Sequence, residues 1–467
     1  MAQVGEFHVV VVGSGLAGLT CARRLAESGQ GVTVVTASRR GRDGATHRVH
    51  GLAPWILLSA PWVRGDSPRR FLEDLRQRSG GLARTGLDEV FAEQAHPAAR
   101  TLAEELDLEA LDEGPVLLPG DEMPRGRRFL PRQHRPLLEP LVRRCEGLGV
   151  TFREREVVVG LLMSRYRATG VVTLRRGQGD RAVLPADAVV LACGGAGAVF
   201  PCSTSPRWCC GSGLALAEVS GTLLHHPHLT QALPVTATPP LFFPTSAALV
   251  NGRLRVGGIV QERAAGLPEA TAMVAEALRR GVTVELLPPV VENGSVPPRV
   301  KASPALRRPG ALPLRLALHH SVGGVAIDVW GRTSTPGLYA CGEAAGGVQG
   351  GRRTMGTGLL EAFIFGQRAA AAVARDVARL APAPGTTAEV LVAEPADPVR
   401  LGGVLDRLLD PLTEIRPVEE VGQALAQLEA WPRGAGVAGE EGAQVALRLE
   451  AALVLLRAAA AGGRETA

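Results

Sequence analysis

Lysine is almost missing from this chain. Lys301 is the one lysine in 467 residues, so the formal net charge of +5 is carried by arginine. An arginine bias without a dense basic run is a poor argument for nucleic acid. With aromatic residues at only 4%, there is no platform on which single strands could stack. Seven cysteines are present, but no Cys-x-x-Cys pair and no Cys/His metal spacing, so no metal site is expected. Cys209 and Cys210 are adjacent and poorly placed to bridge, which suits a reduced, cytoplasmic chain. No charged-then-apolar segment precedes the strand that begins at Phe7. The most apolar late stretch, Ala446 to Ala461, carries Arg448, Glu450 and Arg457, too much charge for a membrane span.

What remains is an ordinary globular composition, 46% hydrophobic and 21% charged, long enough for two or three domains. The 57 glycines and 34 prolines follow no collagen-like period and mark many tight turns. The segment FHVVVVGSGLAGLTCARRLAESGQGVTVVTAS reads as strand, glycine turn, amphipathic helix and second strand. Asp66-Ser67-Pro68 supplies a cap followed by proline at a helix start, and Leu138 to Leu148 reads as a further helix. The segments at 150–152, 157–162 and 171–174 alternate like a β-meander. ADAVVLACGGAGAVF and GLYACGEAAGG each repeat a buried strand followed by glycines. Between them lies a proline-rich unit of mixed periodicity. Residues 381–398 have linker composition, and Leu/Ala-rich helices follow as a separate bundle.

Gly13, Gly15 and Gly18 give the G-x-G-x-x-G spacing between a strand and a helix. The first glycine allows the turn, the second admits a pyrophosphate, and the third packs helix on strand. A helix N-terminus stabilises the phosphate charge. The second strand ends at Thr36, where a carboxylate would usually hold the ribose; hydroxyl contacts or another loop take that role here. A nicotinamide domain needs one such turn, whereas three returns to the same cofactor indicate FAD. Glu343, at a strand end among glycines, suits a ribityl chain. Gly358-Leu359 opens an apolar helix whose free amides would meet the flavin pyrimidine edge. In CGEAAGGVQGGRR the glycines and the acid therefore read as a flavin bed.

The segments VVVVGSGLAGL, GATHRVHGLAPW, ADAVVLACGGAGAVF, HHPHLT, HHSVGGVAIDVWGRTSTPGLYACGEAAGG and GRRTMGTGLLEAF together resemble the fumarate reductase/succinate dehydrogenase flavoprotein family, and its L-aspartate oxidase-like members most. The resemblance spans nearly the whole chain. It implies an α/β architecture: a Rossmann-like FAD-binding domain in two parts (1–219 and 319–380), an inserted α+β capping domain (220–318), a linker (381–398) and a C-terminal helical bundle (399–467). It also implies noncovalent FAD, since no histidine occupies the place that carries covalent flavin in the respiratory members. The cofactor contacts it implies are Gly13, Ser14, Gly15, Ala17, Gly18, Thr36, Thr46, Gly194, Gly195, Glu343, Gly358 and Leu359. Arg353 matches the arginine that grips a substrate carboxylate, and His226 and His319 match the two substrate histidines. Arg352 is either a second anion contact or a surface charge. The family's acid/base arginine has no counterpart: Pro268-Glu269 stands there, so either a neighbour such as Arg263 substitutes, or the substrate differs, or catalysis is feeble. Ser212 replaces a usual acid, and the glutamate that recognises a substrate amine has no evident match.

Three readings follow. One is an FAD-dependent oxidase of L-aspartate that makes iminoaspartate for NAD biosynthesis, with oxygen or fumarate as acceptor and a quinolinate-synthase-type pathway partner. The second is a related flavoenzyme for another small dicarboxylate or amino-acid substrate. The third is an FAD-binding homologue with weakened catalysis.

Overall fold

The apolar run His8–Val12 is buried because it lies at the centre of a five-stranded sheet. In the computed structural model of the chain, residues 7–42, 44–52, 56–118, 121–133, 136–237, 253–262, 267–287, 310–376, 388–393, 397–412, 418–432 and 440–465 are described. The sheet order is Leu338–Ala340, Ala188–Leu191, His8–Val12, Gly31–Thr36, Thr151–Glu154. Every pairing is parallel, with Val10 opposite both Val189 and Thr33. Such a sheet needs cover on both faces, which is why its strands read as nearly unbroken valine and leucine. Helix Leu16–Glu27 buries Leu16, Leu19, Ala22 and Leu25. Helix Gly358–Asp376 runs beside it at close range: a Cβ on Gly366 would lie 2.7 Å from the Ala17 carbonyl oxygen.

From its central strand the chain moves first to Gly31–Thr36 on one side, and later to Ala188–Leu191 on the other. A crevice therefore opens at the carboxyl ends of these strands, the usual ligand site of an open α/β sheet. The 13–18, 193–195 and 342–343 turns all leave the sheet at that end.

The alternating segments after residue 150 divide between two sheets. Thr151–Glu154 pairs with Gly31–Thr36 as the edge of the parallel sheet. Only Glu156–Ser164, Arg167–Arg175 and Arg181–Pro185 form the antiparallel meander. Period-two alternation identifies a strand but not its partner. The expected linker contains a further strand: Ala388–Leu391 pairs antiparallel with Glu156–Ser164. Residues 381–387 lie outside the described residues.

Strands Thr230–Thr236, Leu312–Ser321, Val284–Leu287, Arg253–Val256 and Ile259–Glu262 make a separate sheet. Helix Leu267–Arg279 covers it, and Leu233, Leu254, Val274, Leu286 and Leu316 form its own small core. The ten-residue strand Leu312–Ser321 crosses the expected boundary at 318/319, carrying the chain from this sheet straight to His319, His320 and Ser321.

The three helices Pro398–Leu412, Val418–Glu429 and Glu440–Glu465 are not a detached bundle. Leu401, Leu405, Leu449 and Leu453 share one core with Ala196, Val199, Phe200 and Leu214, next to the second glycine turn. A Cβ on Gly211 would sit 2.4 Å from that of Ala451. Among the described residues no helix is long and apolar enough to cross a membrane.

Candidate functional site

The three glycines of the first turn do different work. Gly13 adopts φ +112°, and a Cβ there would lie 2.3 Å from the Ala192 carbonyl oxygen; on Gly18 it would lie 2.0 Å from the Gly13 oxygen. Both are demanded by chain-to-chain contact. A Cβ on Gly15 meets nothing nearer than Thr46 Oγ1 at 3.9 Å, so bareness here leaves open space at a helix N-terminus. That is the cradle a pyrophosphate requires. Thr46 Oγ1 accepts from the Leu16 amide at 3.4 Å. Ser14 Oγ donates to Thr36 Oγ1 at 2.9 Å and accepts from the Gly41 amide at 3.1 Å. The Thr36 hydroxyl is thus engaged with the turn itself. Ala17 packs against Gly342 and Gly366.

Beyond Thr36 lies a cleft of about 550 Å³ lined by Ser38, Arg39, Arg42, His47, Arg155, Arg176 and Gly177. No carboxylate lines it. Its lining is cationic at the end of the second strand, where a ribose-binding acid would usually stand. Arg155 holds φ +55°, strained for a side chain of this size.

The second and third turns meet at one carboxylate. Glu343 Oε1 accepts the Ser321 amide at 2.9 Å and lies 3.3 Å from His320 Nδ1. Ser321 Oγ in turn accepts the Ala196 amide at 2.7 Å. A Cβ on Gly195 would fall 2.3 Å from Glu343 Oε1 and 2.6 Å from Ser321 Oγ, so this glycine makes room for the acid. Burial pushes the Glu343 carboxyl up, but His320, the Ser321 amide and Arg353 more than offset it and hold it below the usual carboxylate range. Burial drives His320 down, against the pull of Glu343. Both side chains nevertheless keep some accessible surface, 14% for Glu343 and 12% for His320. Deep groups with a free face are walls of a concavity.

Arg353 is a third such wall. Burial lowers its pKa, with Glu343 and Glu361 acting in the opposite direction. Its Nε is buried without a partner, and among the described residues no carboxylate closes an ion pair with its guanidinium. A Cβ on Gly358 would lie 2.8 Å from Arg353 Nη1, so the bare helix start gives the cation its space. The backbone is fixed on both sides: Gln231 Nε2 donates to the Arg353 oxygen at 3.5 Å, and Arg78 Nη1 donates to Thr354 Oγ1 at 2.6 Å. Arg78 also pairs with Asp121, part of a buried network in which Arg125 binds Asp66 and Asp74. His319 lies close enough for Arg353 to perturb it. Burial first, then Arg353, push its ring down to about 3, and Thr204 Oγ1 meets its Nδ1 at 2.8 Å. It is a neutral ring.

The structure brings Arg353, His319, Glu343 and Gly358 together. His226 is exposed at a turn with φ +38°, in edge-to-face contact with His225 at 4.6 Å and with His228 at 5.9 Å. Arg352 is exposed, which makes it a surface charge. Leu359 is half-buried behind Gly358. Arg263 and the side chains of Pro268 and Glu269 lie outside the described residues. Not every glycine of the Cys341–Arg353 stretch belongs to a flavin bed: Gly350, at φ +63°, lets the loop press on the helix end, where a Cβ would lie 2.4 Å from that of Ser79. Sequence reasoning missed His320, Ser321, Thr204, Gln349 and Glu361. The cleft arginines gave no signal in a chain whose basic residues are nearly all arginine.

Residues 8–272 and 293–359 match the family described as FAD binding domain. L-aspartate oxidase of Streptomyces coelicolor is 30% identical over 406 residues, covering 78% of this chain and 68% of that protein. L-aspartate oxidase of Bacillus subtilis is 27% identical over 406 residues, covering 78% and 71%. Escherichia coli quinol fumarate reductase FrdA shares the fold at a TM-score of 0.79 and 17% identity, covering 98% of this chain and 88% of that one. With a Gly15 cradle, an acid-bearing third turn and a matching sequence over most of its length, the chain belongs to the FAD-binding flavoprotein family of fumarate reductase and succinate dehydrogenase, as an L-aspartate oxidase-like FAD-dependent oxidoreductase.

Proposed function

We propose that the protein oxidises L-aspartate to iminoaspartate, with noncovalently held FAD and with oxygen or fumarate as final acceptor, feeding NAD biosynthesis in the cytoplasm. One observation carries the reading: a guanidinium, that of Arg353, is desolvated in a concavity with no ion-pair partner among the described residues. A buried cation with no carboxylate in ion-pair contact is costly unless an anion completes it.

Bound FAD supplies the hydride acceptor. The chain's own residues hold and orient. Gly13 to Gly18 and the helix they open would hold the diphosphate. Glu343 would accept hydrogen bonds from the ribityl hydroxyls, and the first amides of helix Gly358–Asp376 would stabilise negative charge on the flavin. Arg353 grips one substrate carboxylate with two parallel hydrogen bonds. Neutral His319, held at Nδ1 by the Thr204 hydroxyl, adds a polar wall beside the grip without a second charge. The orientation brings the reacting C–H to the cofactor as an intramolecular neighbour.

A panel of L-aspartate, succinate and L-alanine tests this reading with the FAD-loaded protein. The proposal requires turnover of L-aspartate, little with L-alanine, and a KM for L-aspartate at least tenfold higher in Arg353→Lys, which keeps the charge but loses the planar fork. Turnover of succinate alone would move the assignment to another dicarboxylate. An Arg353→Lys variant with unchanged KM would remove Arg353 from the site.

A further inference from the structure

We propose that Glu361 is the proton-holding group of the substrate site, a positioning residue that acts through Arg353 by setting the charge the guanidinium presents to an anionic substrate. The inference rests on the reading of Arg353 as the anion grip.

Glu361 lies in the first turn of helix Gly358–Asp376, three residues beyond Gly358. It therefore shares the face on which Arg353 Nη1 comes to rest against Gly358. Its side chain is buried, and Oε2 accepts from Gln349 Nε2 at 3.0 Å. Three polar features of this small region stay incomplete: Arg353 Nε and Gln349 Oε1 are buried without partners, and no cation closes an ion pair on Glu361 among the described residues. A purely structural arginine and glutamate so placed would pair. Here no ion pair closes between them, yet each feels the other's charge.

The neighbouring groups leave Glu361 as the one that titrates near neutrality. Burial, opposed by Gln349 and Arg353 and aided by Glu343, pushes its carboxyl up to about 7. Around it, Glu343 is held below the usual carboxylate range, His319 sits at about 3, and His320 is pushed down. Below neutrality Glu361 is an uncharged acid, and Glu343 is the neighbouring carboxylate whose charge Arg353 feels. Above it, the new carboxylate neutralises Arg353 and opposes a second anion. Substrate affinity therefore falls as pH rises, and the proton on Glu361 is the switch.

The experiment is calorimetric titration of the FAD-loaded full chain with fumarate, which stays a dianion throughout, at pH 6 and pH 8. Wild type is expected to lose about tenfold in affinity over that interval, the most that one linked proton titrating midway through it allows. Glu361→Gln is expected to bind with the same Kd at both values. Gln349→Leu removes the donor that favours the Glu361 carboxylate, so its loss of affinity moves to higher pH. This arm keeps the test decisive where Glu361→Gln does not fold. A flat wild-type Kd, or the wild-type slope retained in Glu361→Gln, overturns the inference while leaving the Arg353 grip intact. Wild type that binds no fumarate at either pH overturns the grip itself.

Discussion

Gly15→Ala separates a cofactor cradle from an ordinary tight turn. The backbone at Gly15 has φ −72° and ψ −176°, open to any L-residue, and the new methyl would have no neighbour nearer than 3.9 Å. The FAD-free protein should therefore fold as before, or gain about 0.4–1 kcal/mol from a less flexible unfolded chain. The methyl occupies the space the diphosphate needs, and overpacking of this kind costs about 1–3 kcal/mol, or about five- to 150-fold in FAD affinity. Gly18→Ala is the contrasting variant, since its Cβ would stand 2.0 Å from the Gly13 oxygen; it should destabilise the FAD-free protein outright. Flavin fluorescence titration and thermal unfolding of FAD-free protein read the two quantities independently. Unchanged FAD affinity in Gly15→Ala, or a loss of stability matching Gly18→Ala, would refute the cradle.

Gly195→Ala drives a methyl into Glu343 Oε1 and Ser321 Oγ. Losing the two hydrogen bonds that hold them, one to a carboxylate, should cost about 2–4 kcal/mol in denaturant unfolding. His319→Gln should flatten the acid limb of stability. The native ring resists protonation down to about 3, whereas the unfolded ring takes a proton below about 6.5. The unfolded state thus binds more protons in this window, and stability falls as pH drops through it; a variant as acid-sensitive as wild type between those values would contradict the assignment. Arg78→Ala leaves the buried Asp121 carboxylate with only its longer 3.8 Å pairing to Arg125 while freeing Thr354. It should cost about 3 kcal/mol and raise the substrate KM through the loosened Arg353 loop, measurable by unfolding and steady-state kinetics.

Much of this arrangement is legible in the sequence, for identifiable reasons. The Gly13-Gly15-Gly18 spacing, the valine run before it and Glu343 after a third apolar strand are local patterns with local causes. Arg353 and His319 are readable through their resemblance to a family motif. His320 and Ser321 acquire their roles only because the fold sets them beside a carboxylate 22 residues away. Glu361 looks like any first-turn helix glutamate until its burial is known. The strand Thr151–Glu154 was identifiable, but not its place in the parallel sheet, since alternation carries no information about pairing. The C-terminal helices were legible as helices, but their docking on Ala196, Val199 and Leu214 depends on a surface assembled from distant segments.

The most direct test mixes FAD-loaded protein with L-aspartate in the absence of oxygen and follows the flavin absorbance near 450 nm. Bleaching in wild type that slows or disappears in Arg353→Leu is the result this account predicts. An oxidised spectrum left unchanged by L-aspartate, in protein shown to retain its FAD, would contradict it.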